Sequence, residues 1–310
     1  MRTPPKAPVW SADTTHVDEI SWGVAPPGPR MPAGMRLGPV HLQVANLARS
    51  LDYYQRVIGL DVLERSDRTA TLGIASGKLP LVLLREHAGA TPVPRRGRLG
   101  LYHFAILLPD RIALGRFLRN LGQLGVPAGM SDHLVSEALY LYDPDGLGIE
   151  VYADRPRAQW RSEDRQLVMA SEPLDVDDLV GAVDDEPWTG VPDGTKIGHI
   201  HFFVPDLARA EEFHHRGLGL DKMVWSYPGA LFMAAGGYHH HVGVNTWAHG
   251  AQPAGPGDAR LLEWTMIVPG EGDLDMIARN LEASGAPVRR DGRDLVVADP
   301  FATPLRLITP

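Results

Sequence analysis

The chain contains no cysteine, which excludes disulfides and thiolate metal ligands together. Any metal it holds must take nitrogen or oxygen ligands, and 13 histidines are available for that. Long apolar runs are also missing. No stretch of 18 or more apolar residues occurs, so no transmembrane helix is expected. Residues 1–35 are rich in proline and polar side chains and lack the apolar segment of a secretory signal. They read as a tail or a segment draped over the surface. These absences fit a cytoplasmic protein. No basic stripe is present and the formal charge is −8, which argues against binding nucleic acid through its phosphates.

What is present is repetition. At 310 residues with 44% apolar content, the chain is long enough for two domains with cores of their own. His41-Leu-Gln-Val-Ala-Asn-Leu-Ala-Arg-Ser50 recurs as His201-Phe-Phe-Val-Pro-Asp-Leu-Ala-Arg-Ala210, and Gly59-Leu-Asp61 recurs as Gly219-Leu-Asp221 at the same offset. Arg119-Asn-Leu121 with Gly125-Val-Pro127 matches Arg279-Asn-Leu281 with Gly285-Ala-Pro287, again at that offset. A unit of roughly 120 residues is therefore duplicated, and each unit has two halves of the same design. A strand of alternating pattern leads into a helix, then three short strands follow. In the first module the helix is predicted from about Leu47 to Val57; in the second it spans about Arg111 to Leu124, stopped by Gly125 and Pro127. The expected fold class is α+β, with four βαβββ modules at 36–90, 98–155, 196–248 and 259–310. Modules one and two make a first domain (36–155) and modules three and four a second (196–310). The acidic connection 156–195, with a short helix predicted near Leu174 to Val180, is long enough to let modules pair in more than one way.

Strand periodicity sorts the side chains by face. Ile200, Phe202 and Val204 share one face, His199, His201 and Phe203 the other. Phe104, Ile106 and Leu108 oppose His103, Ala105 and Leu107, and Glu150 lies between Ile149 and Val151. A lone histidine on a strand is more often a hydrogen-bonded core residue than a ligand. Two imidazoles and a carboxylate converging on one metal would leave three open positions, the set suited to Fe(II) and O2.

The four modules resemble the vicinal oxygen chelate superfamily, which includes glyoxalase, bleomycin-resistance proteins and type I extradiol dioxygenases. Two stretches carry the resemblance: Ile197-Gly-His-Ile-His-Phe-Phe-Val-Pro-Asp-Leu207, and Tyr140-Leu-Tyr-Asp-Pro-Asp-Gly-Leu-Gly-Ile-Glu-Val-Tyr152. The likeness runs over 36–310 and is strongest to two-domain catechol 2,3-dioxygenase-like proteins. It implies curved, cleft-forming mixed sheets. In that superfamily the first-strand ligand lies seven residues before the aspartate that follows the strand. His199 stands so before Asp206 and His103 before Asp110, whereas the matching positions in modules one and four hold Pro39 and Glu263. The last-strand ligand is a glutamate ten residues after a catalytic tyrosine, as Glu150 follows Tyr140; module four has Arg306 and Val296 there. The ligand set implied is His103, Glu150 and His199, which requires modules two and three to pair across the connection. Pairing within each half would instead leave His199, His241 and Glu263, or His41, His103 and Glu150.

The run His239-His240-His241 is the next feature. The family's acid/base histidine in this strand matches His240 by local pattern, while strict alternation with Gly243 and Asn245 selects His241; both stay open. A neutral imidazole suits proton transfer near pH 7. The resemblance also gives Tyr140 the role of hydrogen-bond donor toward the substrate, and His133 a supporting place. His214, His215 and His249 read as surface or loop residues. The implied activity is an Fe(II)-dependent extradiol ring cleavage, with Mn(II) as a second option for the metal, a catechol and O2 as substrates, and a homo-oligomer as the expected assembly. The rival readings are a glyoxalase-type lyase or isomerase and a metal-free binding protein of the resistance type.

Overall fold

Each module opens on a strand whose alternate residues are large and apolar, and each such strand lies in the middle of a sheet. The structure, a computed structural model, describes residues 22–94, 96–184 and 186–310. Module one supplies β1 (Arg36–Val44), β2 (Asp61–Arg65), β3 (Thr69–Ile74) and β4 (Leu79–Glu86), and module two supplies β5 (Gly100–Leu107), β6 (Gly129–Asp132), β7 (Ser136–Tyr142) and β8 (Gly148–Asp154). A short hairpin, β9 (Ser162–Glu163) and β10 (Gln166–Leu167), lies in the connection. Module three adds β11 (Lys196–Phe203), β12 (Asp221–Val224), β13 (Ala230–Ala234) and β14 (Val242–Asn245), and module four adds β15 (Arg260–Ile267), β16 (Arg289–Asp291), β17 (Asp294–Ala298) and β18 (Pro304–Ile308).

Sixteen of these strands form two eight-stranded mixed sheets, ordered β12-β13-β14-β11-β5-β8-β7-β6 and β16-β17-β18-β15-β1-β4-β3-β2. Each sheet takes one module from each half of the chain. Modules two and three share the first, joined by the antiparallel seam β5–β11; modules one and four share the second, joined by β1–β15. The fold is α+β.

Helix α2 (Arg111–Leu124) starts where Asp110 accepts the Ala113 N–H at 2.8 Å and ends at Gly125, whose φ is +65°. The cap satisfies a donor that the first turn leaves open, and glycine takes the left-handed conformation without strain. Its buried residues, among them Leu114, Phe117 and Leu121, form a stripe at helical spacing. Helix α1 (Leu47–Tyr53) is shorter than predicted, because it widens into a π turn at Tyr54–Ile58, and α4 (Leu207–Glu211) does the same at Glu212–Gly217. In module three that turn corrects the sequence reading of two histidines. His214 and His215 are buried, and their Nδ1 atoms face the carbonyls of Ala210 (3.0 Å) and Leu220 (2.6 Å). His249 is exposed, as expected.

Phe104, Ile106, Ile149, Val151, Ile200 and Phe202 enter one apolar core together with residues of the other sheet. There Phe202 meets Trp264 at a ring distance of 5.5 Å. The histidines occupy the opposite face of the same strands. A slip of one residue would drive them into that core, so burial of one face fixes the register that places the other.

Residues 22–35 cross module three: Val24 bridges Lys222, Arg30 forks onto Asp221, and Met31 and Met35 are buried. Residues 1–21 of the expected tail lie outside the described residues, as does Arg95. In the connection, Asp175 caps α3 (Val176–Gly181), and Glu172 bridges Asp132 beside β6. No described helix is long and apolar enough to cross a membrane.

The seam β5–β11 carries two register shifts, one between Ile197 and His199 and one between His201 and Phe202. At the first, Gly198 faces Tyr152; a Cβ there would stand 1.9 Å from the tyrosine hydroxyl. Gly198→Ala is therefore expected to displace the Tyr152 ring and lower stability by about 1–3 kcal/mol. Urea unfolding of the two proteins checks this; an unchanged midpoint would show that the seam is looser than described.

Candidate metal centre

Three neighbouring strands meet at Ala105. Across β5–β11 its register partner is His199, and across β5–β8 it is Glu150. His103 lies two residues earlier on β5 and so points to the same face. The three side chains thus surround the methyl of a fully buried alanine; a larger residue at 105 would fill the space between them. His199 Nε2 lies 3.0 Å from Glu150 Oε2, and His103 Nε2 lies 3.1 Å from the same oxygen. Each residue offers a ligand atom, all within 4.8 Å of one another, and all three residues are buried.

The state of these groups suits a cation. Burial works against the charge on Glu150, but the neighbouring His199 and His103 outweigh it and hold the carboxyl well below its usual range. Burial lowers His199 to about 4 despite the carboxylate beside it. An ionised carboxylate and a neutral imidazole are the forms that bind metal. Hydrogen bonding is left incomplete. Neither nitrogen of His103 has a well-directed partner, and His199 Nδ1 has none. Buried polar atoms normally find partners, so unpaired nitrogens converging on a carboxylate fit a metal better than a closed polar cluster.

His103 and Glu150 of the triad border a cavity of about 220 Å³, whose lining also includes Tyr140, His133, His201 and His240. His199 stands behind it, its ring 4.1 Å from that of His240. Tyr140 is the register partner of Glu150 on β7. Its hydroxyl lies 2.6 Å from His133 Nε2, and His133 Nδ1 lies 2.6 Å from the carbonyl of Ala170. The carbonyl can only accept, so His133 donates from Nδ1, and with that hydrogen on Nδ1 its Nε2 receives the Tyr140 hydrogen. Burial, with Glu150 nearby, pushes the phenol well above its usual range, so Tyr140 keeps its proton. His201 is held in one tautomer as well. The Asn245 amide donates to its Nε2 (3.0 Å), while Asn245 Oδ1 accepts the Trp247 N–H (2.9 Å).

His241 does not reach the cavity. Its Nδ1 accepts the Ala235 N–H at 3.2 Å and its ring packs 4.9 Å from Tyr238. The alternation that favoured it fails because β14 begins only at Val242. The sequence reading also missed Tyr102, Trp247 and the connection residues Met169 to Ser171, all in the lining. By alternation Tyr102 belongs to the core. It falls at the second register shift, where His201 pairs with His103 and Phe202 with Leu101, and such a bulge re-aims a side chain.

A family model, Glyoxalase/Bleomycin resistance protein/Dioxygenase superfamily, matches residues 36–151. A Bacillus subtilis protein named catechol-2,3-dioxygenase is 44% identical over 270 residues, covering 86% of this chain and 94% of its own. The chain belongs to this superfamily. A solved structure of a putative dioxygenase from Bacillus subtilis covers 91% of this chain and 86% of its own with a TM-score of 0.62 at 15% identity. Glyoxalase I from Zea mays covers 88% and 92% with a TM-score of 0.52 at 16% identity. Both share the superfamily fold.

The second sheet of this superfamily member repeats the geometry with other chemistry. His41 pairs with Glu263, Thr265 with Arg306, and Arg306 with Val296. Arg306 binds Glu263 through Nε at 2.8 Å, Asp294 at 2.9 Å and Asp291 at 3.1 Å. A guanidinium stands where the first sheet has its carboxylate. Glu263 and His41 therefore share no site with His199 or His103.

The buried imidazoles make the metal-free protein acid-sensitive. His199 has a folded value near 4 against an ordinary value near 6.5. Between those values the unfolded chain binds the extra proton, so stability falls as pH is lowered through that window. We expect thermal unfolding of the metal-free protein to shift down from pH 7 to pH 4.5, and His199→Gln to reduce the shift. An equal shift in both proteins would assign the acid sensitivity elsewhere.

Proposed function

We propose that the protein is an Fe(II)-dependent extradiol dioxygenase that opens the ring of a catechol with O2. The observation that carries this reading is the convergence of a His–Glu–His ligand set, a protonated phenol and a buried imidazole on one cavity. The relative named catechol-2,3-dioxygenase supports the same class. A metal held by only three protein ligands would stay accessible to substrate and O2. A glyoxalase-type lyase calls for a fourth protein ligand, and among the described residues only these three offer atoms to one shared point.

His103, Glu150 and His199 would hold the metal. When bound, Fe(II) supplies the positive charge that a catecholate needs and the electron exchange with O2. The remaining work falls to the chain. Tyr102 and Trp247 give the cavity aromatic walls that keep a flat ring in plane. Met169 to Ser171 cover it and exclude water, and Ser171 is fixed to Tyr227 by a 3.1 Å hydroxyl contact. His240 takes a proton from a substrate hydroxyl. Burial, with His199 and His239 beside it, holds its ring neutral, the form that can accept. Tyr140 turns its hydrogen from His133 toward a substrate oxygen.

The test is ring cleavage. Protein reconstituted anaerobically with Fe(II) should turn catechol and air into a yellow ring-opened product. His199→Ala should lose both iron and product. His240→Gln should keep iron and lose about 100-fold or more in kcat. Iron binding without any product from catechol or alkylcatechols would contradict the reading, as would full activity in His199→Ala.

A further inference from the structure

A continuous set of polar contacts leads away from the cavity, beginning at His240. His240 Nδ1 lies 2.7 Å from His239 Nδ1, and His239 Nε2 lies 3.0 Å from Asp154 Oδ1. Tyr238 reaches the same carboxylate oxygen at 3.1 Å, and Tyr152 reaches the Tyr238 hydroxyl at 2.7 Å. His239 and His240 are buried, whereas the Asp154 side chain retains 28% of its exposure. His239 is enclosed by rings, with Tyr238 at 4.1 Å and Trp160 at 5.4 Å. The ligand set, Tyr140 and His133 use none of these contacts.

The direction of every hydrogen follows from one end. A carboxylate only accepts, so His239 Nε2 and the Tyr238 hydroxyl both donate to Asp154. The Tyr238 hydrogen is then committed, and the Tyr152 hydroxyl donates to Tyr238. With its one hydrogen on Nε2, the His239 ring can only accept at Nδ1. The hydrogen in the contact between the two rings therefore belongs to His240 Nδ1. This leaves Nε2 as the one bare nitrogen of His240.

We propose that Asp154 and His239 are positioning residues that fix His240 in the tautomer with hydrogen on Nδ1 and a lone pair on Nε2. The proposal rests on the reading of His240 as the acid/base of ring cleavage, and it deepens that reading by naming what prepares the base. Asp154 ends β8, the strand that carries Glu150, and His239 belongs to module three. The modules that together supply the metal ligands thus also supply, from both sides, the anchor of the base. A ring held by a directed hydrogen bond presents one tautomer, as a metal-ligating histidine does when its other ring nitrogen is hydrogen-bonded.

The experiment reads the tautomer directly, by nitrogen-15 NMR of the imidazoles in protein loaded with diamagnetic Zn(II). In the wild type, His240 should show a protonated Nδ1 and a bare Nε2. His239→Phe removes the acceptor and should leave His240 averaging between tautomers. His239→Gln keeps an acceptor carbonyl and should restore the wild-type pattern. Asp154→Leu, at a partly exposed position, frees His239 and gives the loss independently should His239→Phe fail to fold. In the Fe(II) protein, His239→Phe should lower kcat about 10- to 100-fold with KM for catechol little changed, and His239→Gln should recover most of it. A bare Nδ1 on wild-type His240, or His239→Phe with wild-type kcat and tautomer, would overturn the proposal. Failure of the ring-cleavage reading looks different: no product from the wild type, with the NMR pattern intact.

Discussion

The site depends on the pairing of β5 with β11. That seam joins two modules far apart in sequence, and its register sets His199 beside Ala105 and His201 beside His103. Backbone hydrogen bonds hold the strands together, but the choice of register comes from the apolar face. Phe104, Ile106, Ile200 and Phe202 must all reach the core, and a shift of one residue on either strand would bury imidazoles there. Burial on one side of the sheet therefore determines the ligand geometry on the other. The parallel partner β8 adds Glu150 by the same logic.

Duplication gives two sheets of one design, but among the described residues only one of them holds a candidate metal site. Both sheets use the same arrangement of modules, yet their equivalent positions diverge. In the second sheet Arg306 contributes its own positive charge among Glu263, Asp294 and Asp291. There one guanidinium faces three carboxylates at partly exposed positions, where such pairs are weakly stabilising. Among the described residues no guanidinium reaches the triad of the first sheet, which keeps unpaired nitrogens instead.

Much of this is legible in the sequence. The period of two along β5 and β11 separates core from cavity, the repeats give four modules, and Gly125 marks the end of α2. Local pattern fails where the backbone departs from its period. Tyr102 turns into the cavity at a register shift that depends on which strand lies alongside. His241 falls outside because β14 starts one residue later. The π turns bury His214 and His215, which no helical spacing indicates. Met169 to Ser171 carry no motif and enter the lining because the connection folds back, with Glu172 against Asp132. Nor does the sequence indicate that His239 would face Asp154, since that contact exists only once modules two and three share a sheet.

On the proposed reading, modules two and three hold one metal between them. The most direct measurement is a crystal structure of the iron-loaded protein with diffraction data on both sides of the iron absorption edge. The account predicts a single anomalous peak in contact with His103, Glu150 and His199, and none beside Arg306 in the second sheet. An iron peak at Glu263 or His41, or one ligated from a single half of the chain, would contradict it.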